Sequence, residues 1–340
     1  MAAEVAMSNE PRSILVTDVS PFGWSLFLLP ALRALRAAYP KTFIAAATSK
    51  GTCELLTATG LVDEAIDLGI IKPSPDGGYA SAFKRAARLF NCARRLDFDL
   101  VIDFSPRLET QVLSRFITRA RTVTPSRMPQ VIEMLLGKRS RRAQGRAAGY
   151  ESVLRQLGIG MSSARFAITL PAEEHAQFEQ VLAKRGSRGG EPIVVLYASN
   201  PASPGGWPIE SFGEMAARLA HNFGARVIAA DEPSDETFTE ALSALLPQTA
   251  IKLAEPRALE LAAAIARASL VITDERGLAE LAVEMGTPVI EISDDPAAQS
   301  SSKAHRVVQG PSRARVTTDE VYEIACELLQ ASRSASLFRR

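Results

Sequence analysis

Short apolar runs, each closed by a turn signal and followed by an amphipathic segment, recur along this chain, and the rhythm breaks off once and restarts. An apolar run bounded by turns reads as a buried strand, and apolar residues at three- and four-residue spacing read as a helix. On that basis Ser13–Asp18 (SILVTD), Thr42–Thr48, Glu64–Leu68, Asp99–Phe104 (DLVIDF) and Arg121–Thr124 are expected strands. Ser25–Tyr39, with Leu28, Leu32 and Leu35 on one face, is an expected helix, as are Gly51–Thr59, Ala80–Arg95 and Leu108–Thr118. Pro125 to Gly149 reads as a loop with one short helix, followed by helices at Tyr150–Leu157 and Pro171–Arg185. The stretch Gly186–Pro192 (GSRGGEP) is glycine-rich, charged and poor in apolar residues, as linkers are. Beyond it, strands are expected at Ile193–Tyr197, Arg226–Ala230, Leu270–Thr273 and Pro288–Ile292. Helices are expected from Pro208 and at Asp235–Leu246, Leu259–Ala268, Leu278–Met285 and Asp319–Ala331.

Strands alternating with helices imply βαβ units, and so parallel sheets covered on both faces. The expected architecture is α/β, with two doubly wound Rossmann-type domains facing across a cleft at the carboxyl ends of their strands. A disordered N-terminus is expected over 1–12 and the first domain over 13–170. A linker region over 171–192 then leads to the second domain over 193–315. A helix over 316–332, free to pack across both domains, and a basic tail over 333–340 complete the division. The 340 residues suffice for two such cores.

Lys and Arg number 39 against 38 for Asp and Glu, so no global field draws the chain to nucleic acid. Three cysteines, Cys53, Cys92 and Cys326, stand far apart, which argues against a disulfide framework and a cysteine zinc site and fits a reducing cytoplasm. No signal peptide is read at the N-terminus, and the apolar stretch Phe22–Leu35 contains Pro30 and Arg33 and is too short to cross a bilayer. A soluble, cytoplasmic protein is expected. His175, His221 and His305 are isolated, without spacing that suggests a metal.

Three blocks carry a more specific message. The first is Ile14 to Trp24 (ILVTDVSPFGW), followed by Leu29 to Leu35 (LPALRAL) and Tyr39-Pro40. The second runs from Ser199 to Pro208 (SNPASPGGWP), and the third from Leu270 to Ala282 (LVITDERGLAELA) followed by Met285 to Val289 (MGTPV). Their order and content resemble glycosyltransferase family 9, whose members use ADP-heptose. The resemblance implies a GT-B fold with an acceptor-side first domain and a nucleotide-sugar-side second domain. It further implies inverting transfer of heptose from an ADP-sugar to a lipopolysaccharide core, without an obligatory metal or other cofactor. In that scheme an Asp of the first turn is the general base. A Lys ahead of Trp-Pro and the helix start in the third block hold the diphosphate. Nucleotide sugar and glycolipid acceptor are the implied partners.

The chain departs from this pattern at the charged positions. Trp24 stands where the resemblance places the base, and Gly205 where it places the lysine. In the third block Glu275, Arg276 and Glu280 replace the Asp, Ser and His, and the ribose-holding carboxylate falls near Asp235 or Glu236. The donor-side candidates are accordingly Ser199, Asn200, Gly205, Asp235, Glu275, Arg276, Gly277 and Leu278. Arg276 has two readings, a diphosphate ligand at a helix start or a solvated loop residue beside Glu275. Asp18 ends the first strand and reads either as a relocated base or as the cap of the following turn. Trp24 reads as a stacking surface or as packing at a helix start. Glu280, one turn into its helix, opposes a diphosphate. A catalytically silent protein that keeps the two-domain shell is the alternative to an enzyme, and a transferase with a rebuilt site for another donor is a third reading. Finally, Arg107 to Arg146 forms a local basic stretch, with Arg139, Arg141 and Arg142 at its densest point. It suits a phosphorylated glycolipid or the anionic inner leaflet, or is a solvated loop.

Overall fold

The computed structural model describes residues 10–20, 22–68, 98–105, 121–123, 142–160, 170–187, 189–198, 205–232, 237–296, 298–300 and 302–337. Two compact units divide between Ala164 and Arg165. The division falls ahead of the expected break between Leu170 and Ile193.

In the first unit, strands β1 (Ser13–Thr17), β2 (Phe43–Thr48), β3 (Glu64–Asp67), β4 (Leu100–Asp103) and β5 (Arg121–Val123) form one sheet in the order β3-β2-β1-β4-β5, every pair parallel. Helices α1 (Phe22–Ser25), α2 (Leu28–Ala38), α3 (Lys50–Thr59) and α4 (Arg142–Gln156) belong to this unit. The central strands are buried along almost their whole length, as parallel strands covered on both faces must be. Helix α2 buries Leu28, Leu32 and Leu35 together with Ala31 and Ala34, the stripe its spacing predicts. Pro11 and Arg12 are already tied to the start of β2, through Thr42 Oγ1 donating to the Pro11 carbonyl at 2.8 Å and Phe43 N–H to that of Arg12 at 3.0 Å. One expectation needs correction. Helix α4 begins at Arg142, well inside the stretch read as a loop with one short helix, where Ala143, Gln144, Arg146, Ala147 and Ala148 are good helix formers that outweigh Gly145. The helices expected at Ala80–Arg95 and Leu108–Thr118 lie outside the described residues.

The second unit contains α5 (Ala172–Lys184), β6 (Ile193–Tyr197), α6 (Ile209–Phe223), β7 (Arg226–Ala230), α7 (Thr237–Leu242), β8 (Ile251–Leu253), α8 (Ala258–Arg267), β9 (Leu270–Thr273), α9 (Arg276–Glu284), β10 (Val289–Ser293), β11 (His305–Gln309) and α10 (Thr318–Leu337). Its sheet runs β8-β7-β6-β9-β10-β11, again all parallel. One face buries Val194, Leu196, Leu270, Ile272, Ile290 and Ile292 against α6, α7 and α10. The opposite face is covered by α8 and α9, and α5 packs on α8. Helix α6 stops at Gly224, whose φ of +61° is the left-handed conformation that a helix end takes most readily at glycine. The edge strands β8 and β11 were not among the expected strands. Ile251-Lys252-Leu253 is too short to show a period, and His305 to Gln309 (HRVVQ) has the polar composition of an edge. Each unit thus reverses its strand order between two central neighbours, β1 beside β4 and β6 beside β9. This is the doubly wound arrangement in which ligands collect at strand carboxyl ends.

Candidate functional site

In the first unit the reversal brings Thr17 level with Asp103. Thr17 Oγ1 donates to Asp103 Oδ1 at 3.0 Å, and the Ser105 N–H closes a turn onto the same oxygen at 2.8 Å. Asp18 follows β1 directly and is fully buried. Its Oδ1 accepts the Ser20 N–H at 2.9 Å, which is the turn-capping role, and its Oδ2 accepts a short hydrogen bond from the Tyr150 hydroxyl. The Tyr150 ring lies stacked on Phe104 with centroids 4.7 Å apart, so α4 is bolted to the carboxyl ends of β1 and β4. Nothing in the sequence announces a partner 132 residues away. Trp24 falls in α1 with its side chain outside the described atoms, as does the side chain of Arg142 at the start of α4. Arg139 and Arg141 lie outside the described residues.

In the second unit Tyr197 stands level with Thr273 at the ends of β6 and β9. Past Thr273 the chain turns through Asp274 and Glu275 into α9. The Glu275 N–H donates to Thr273 Oγ1 at 2.9 Å, and its carboxyl caps α9 by accepting the Gly277 N–H at 3.4 Å. Glu275 is buried, which pushes its carboxyl up to about 8, with the charge of Asp274 adding to the effect. Burial also raises the Tyr197 hydroxyl well above its ordinary value, reinforced by Glu232, Glu275, Asp274 and Asp231. The carboxyl ends of β6, β7 and β9 are therefore acidic.

The cations here already have partners. Arg313, in a short 3-10 turn after β11, donates through Nη1 to the Asp274 carbonyl at 3.0 Å and to its Oδ2 at 3.4 Å. Arg276 is half-buried and faces carboxylates of its own chain: its Nη2 lies 3.6 Å from Glu280 Oε1 and its Nη1 4.0 Å from Glu291 Oε1. The Arg276 Nη1 atom is buried without a hydrogen-bond partner. Glu291 alternates with Ile290 and Ile292, so it faces α9, and its Oε2 meets the fully buried His305 Nε2 at 3.1 Å. His305, read from sequence as isolated, is the inner end of this polar row. Burial raises the Glu280 carboxyl as well.

Of the other donor-side candidates, Gly277 and Leu278 are buried in the first turn of α9. Gly205 has φ +89°, a conformation that side-chain-bearing residues rarely adopt. It precedes Trp207, whose Nε1–H donates to the Val316 carbonyl at 2.9 Å and whose ring meets Phe212 edge-on at 4.6 Å. Ser199, Asn200 and Asp235 lie outside the described residues. Sequence reasoning missed Arg313, Glu291 and Glu232, whose positions follow only from the order of the strands. Among the described residues there is no group of three or more His, Cys, Asp or Glu side chains placed to hold a metal, and no helix long and apolar enough to cross a membrane.

Solved structures share this architecture. A glycosyl transferase family 9 protein from Veillonella parvula is 19% identical, with a TM-score of 0.73 over 96% of this chain and 99% of that one. E. coli ADP-heptose lipopolysaccharide heptosyltransferase II is 17% identical, with a TM-score of 0.68 over 94% and 99% of the two chains. E. coli heptosyltransferase WaaC with ADP-2-deoxy-2-fluoro heptose is 18% identical, with a TM-score of 0.64 over 93% and 99%. At such identities the likeness speaks for the fold, a GT-B-like pair of Rossmann-type units. No curated protein matches the chain in sequence. The model of glycosyltransferase family 9 (heptosyltransferase) matches residues 87–293, which takes in the second and third blocks and leaves the first outside. Because that match runs through more than half of the 340 residues and enters both units, the chain belongs to glycosyltransferase family 9.

Proposed function

We propose that this chain serves lipopolysaccharide or envelope-glycan assembly with the architecture of an inverting glycosyltransferase, and that it transfers heptose from ADP-heptose very weakly or not at all. The observation that carries this reading is the acidic end of the second sheet, where Asp231, Glu232, Asp274 and Glu275 all bear on Tyr197. A departing diphosphate needs positive charge and free N–H groups, worth several kcal/mol in the transition state. Here position 205 is glycine, and Arg276 and Arg313 face carboxylates of the chain itself. An attacking hydroxyl needs a carboxylate within reach, yet both oxygens of the buried Asp18 already accept hydrogen bonds.

In this reading the protein is cytoplasmic and needs no metal. It meets a nucleotide sugar and a glycolipid acceptor, and touches the anionic inner leaflet through the basic stretch around Arg139, Arg141 and Arg142. The buried bolt between Asp18 and Tyr150 also favours a second reading, a silent binding or scaffold protein, because it spends the nearest carboxylate on structure. The deciding experiment follows product formation by mass spectrometry with ADP-heptose and a lipopolysaccharide-core acceptor. Trace or absent product is expected. Robust turnover by the wild type, unchanged in Asp18→Asn, overturns the reading.

A further inference from the structure

Helix α3 begins at the carboxyl end of β2, beside β1, at the end of the sheet where a doubly wound fold collects its ligands. Ser49 is its N-cap, yet no side chain caps the turn. The hydroxyl suited to that role is committed elsewhere. Ser25 Oγ donates its one proton to the Phe22 carbonyl at 2.8 Å, so the Thr52 hydroxyl donates to Ser25, in a short hydrogen bond. Ser49 Oγ in turn donates to Thr52 Oγ1 at 2.9 Å. This ordered chain fastens α1 to α3 and leaves the N–H groups of Lys50, Gly51 and Thr52 without an acceptor among the described residues. Gly51 and Thr52 are buried, where an N–H without a partner is costly.

Thr48 points the same way independently. It is 0% exposed, and its Oγ1 has no hydrogen-bond partner among the described residues. Ala45 and Ala47 pack with Leu15, Leu68 and Val101 on one face of the sheet, so Thr48, like Ala46, projects from the other. Cys53, Leu55 and Leu56 of α3 are buried outside that cluster, and α3 packs on β2 and β3. Thr48 thus holds an uncommitted hydroxyl proton on the face where α3 starts, one residue ahead of its cap. Lys50, exposed at the first helical position, adds an ammonium. Hydroxyl, N–H groups, ammonium and helix dipole are all donors or positive, the set from which the oxygens of a phosphate accept.

We propose that the start of α3, with Thr48 and Lys50, holds a phosphate group. The proposal stands apart from the reading of the second unit and does not depend on whether sugar is transferred. One carboxylate opposes it. Asp67 is exposed and level with Thr48 across β2 and β3, and its charge reaches α3, where burial and then Asp67 push the Cys53 thiol up to about 12. Water and salt screen an exposed charge, so Asp67 weakens the site without closing it.

The test titrates inorganic phosphate and glucose 6-phosphate into the full chain by calorimetry at pH 7.5 and constant ionic strength. Saturable binding of at least one probe by the wild type is expected. Thr48→Val removes the hydroxyl proton at nearly constant shape, and Lys50→Pro removes one N–H and the ammonium. Ser49 already has φ −67° and ψ 155°, the extended backbone that a residue before proline prefers, so proline fits at this first helical position. Each variant should bind about tenfold more weakly, the loss of one charge-assisted hydrogen bond. Asp67→Asn should bind more tightly. Thr48→Val should melt no lower than wild type, because it removes a buried hydroxyl that has no partner, and Lys50→Pro decides the matter should that variant fail to fold. Tighter binding of glucose 6-phosphate than of inorganic phosphate supports a phosphate carried on a sugar, and the reverse a free anion; both keep the site. No saturable binding of either probe overturns the proposal. So does binding that is unchanged in folded Thr48→Val or Lys50→Pro, which places the anion elsewhere on the chain.

Discussion

Glu275 makes a thermodynamic statement that is open to direct measurement. In the folded chain its carboxyl titrates at about 8, against an ordinary value of 4.5, because burial and the neighbouring Asp274 penalise its charged form. Between those two pH values the folded state keeps a proton that the unfolded chain has released. Stability therefore falls as pH rises through this window, by at most ~1.4 kcal/mol per pH step. Carried across the whole interval, the ceiling is roughly 5 kcal/mol. Local opening of the turn relieves part of it, so the working expectation is roughly 2–4 kcal/mol. Below pH 4.5 both states are protonated and the contribution is fully present; above pH 8 it is lost.

Glu275→Gln removes the titration while keeping an oxygen for the Gly277 N–H. Trp207 lies in the same unit, and the chain has 2 tryptophans, so a Trp24→Phe background leaves Trp207 as the one indole reporter. Urea unfolding followed by its fluorescence from pH 5 to 9 gives the two curves. The glutamine variant and its parent should lie closest near pH 5 and separate steadily from there towards pH 8. By pH 8.5 the variant should be the more stable by roughly 2–4 kcal/mol. The difference between the curves isolates Glu275 from Glu280, whose raised carboxyl contributes a slope common to both. Parallel curves, with no growth of the difference between pH 5 and 8.5, refute the reasoning.

Thr317 and Glu320 form a capping box at the start of α10, with Glu320 Oε2 accepting from the Thr317 N–H at 3.0 Å and hydroxyl at 2.8 Å and the Glu320 N–H returning to Thr317 Oγ1 at 3.3 Å. Thr317→Ala should therefore lower the stability of the second unit by about 1 kcal/mol in the same urea assay. Gly205→Lys should cost about 1–2 kcal/mol, because φ +89° is strained for any side chain even where space is open, and a neutral effect on the melt contradicts the assignment. Vesicles containing anionic lipid should bind the chain less as salt rises from ~50 to ~500 mM, because the screening length is already ~10 Å at 0.1 M and shortens further with added salt. Charge reversal at Arg139, Arg141 and Arg142 should abolish that binding, and insensitivity to both rules the membrane contact out.

Much of this architecture was legible because parallel strands buried on both faces must be almost wholly apolar. SILVT, FIAAAT, IVVLY and LVIT announce themselves, and the helices between them carry clear stripes. What escaped has a physical reason in each case. Strand β11 pairs on one side, so it tolerates the polar HRVVQ. Helix α4 is arginine-rich at its start, and its anchors include the Tyr150 hydroxyl on Asp18 and the Tyr150 ring on Phe104. The buried row from Arg276 through Glu291 to His305 is assembled from α9, β10 and β11, and Arg313 meets Asp274 across 39 residues. Charge inside a strand such as VIEIS reads as a mere interruption until the neighbouring strand and helix are known.

That row also makes this corner of the second unit costly to change one residue at a time. Glu291 and His305 are 2% and 0% exposed, and each is the other's hydrogen-bond partner. Taking one member from a buried hydrogen-bonded pair leaves the other's polar atom unsatisfied, at a cost of roughly 1–3 kcal/mol. Arg276 lies between Glu280 on its own helix and Glu291 beneath it, so the three side chains are energetically coupled. Replacing Glu280 with histidine, the residue the family resemblance places there, would set an imidazole against Arg276 and remove its Glu280 contact, leaving it the Glu291 carboxylate at 4.0 Å. The same logic holds at Asp274, where removing the carboxylate would leave Arg313 held by its contact to a carbonyl and by Asp294 at 3.8 Å. The frame around these residues is built from other contacts: Trp207 Nε1–H donates to the Val316 carbonyl, and Thr287 Oγ1 to the Ile265 carbonyl at 2.8 Å. A scaffold fixed by backbone and apolar contacts can thus carry an inverted set of charges, provided they are inverted together.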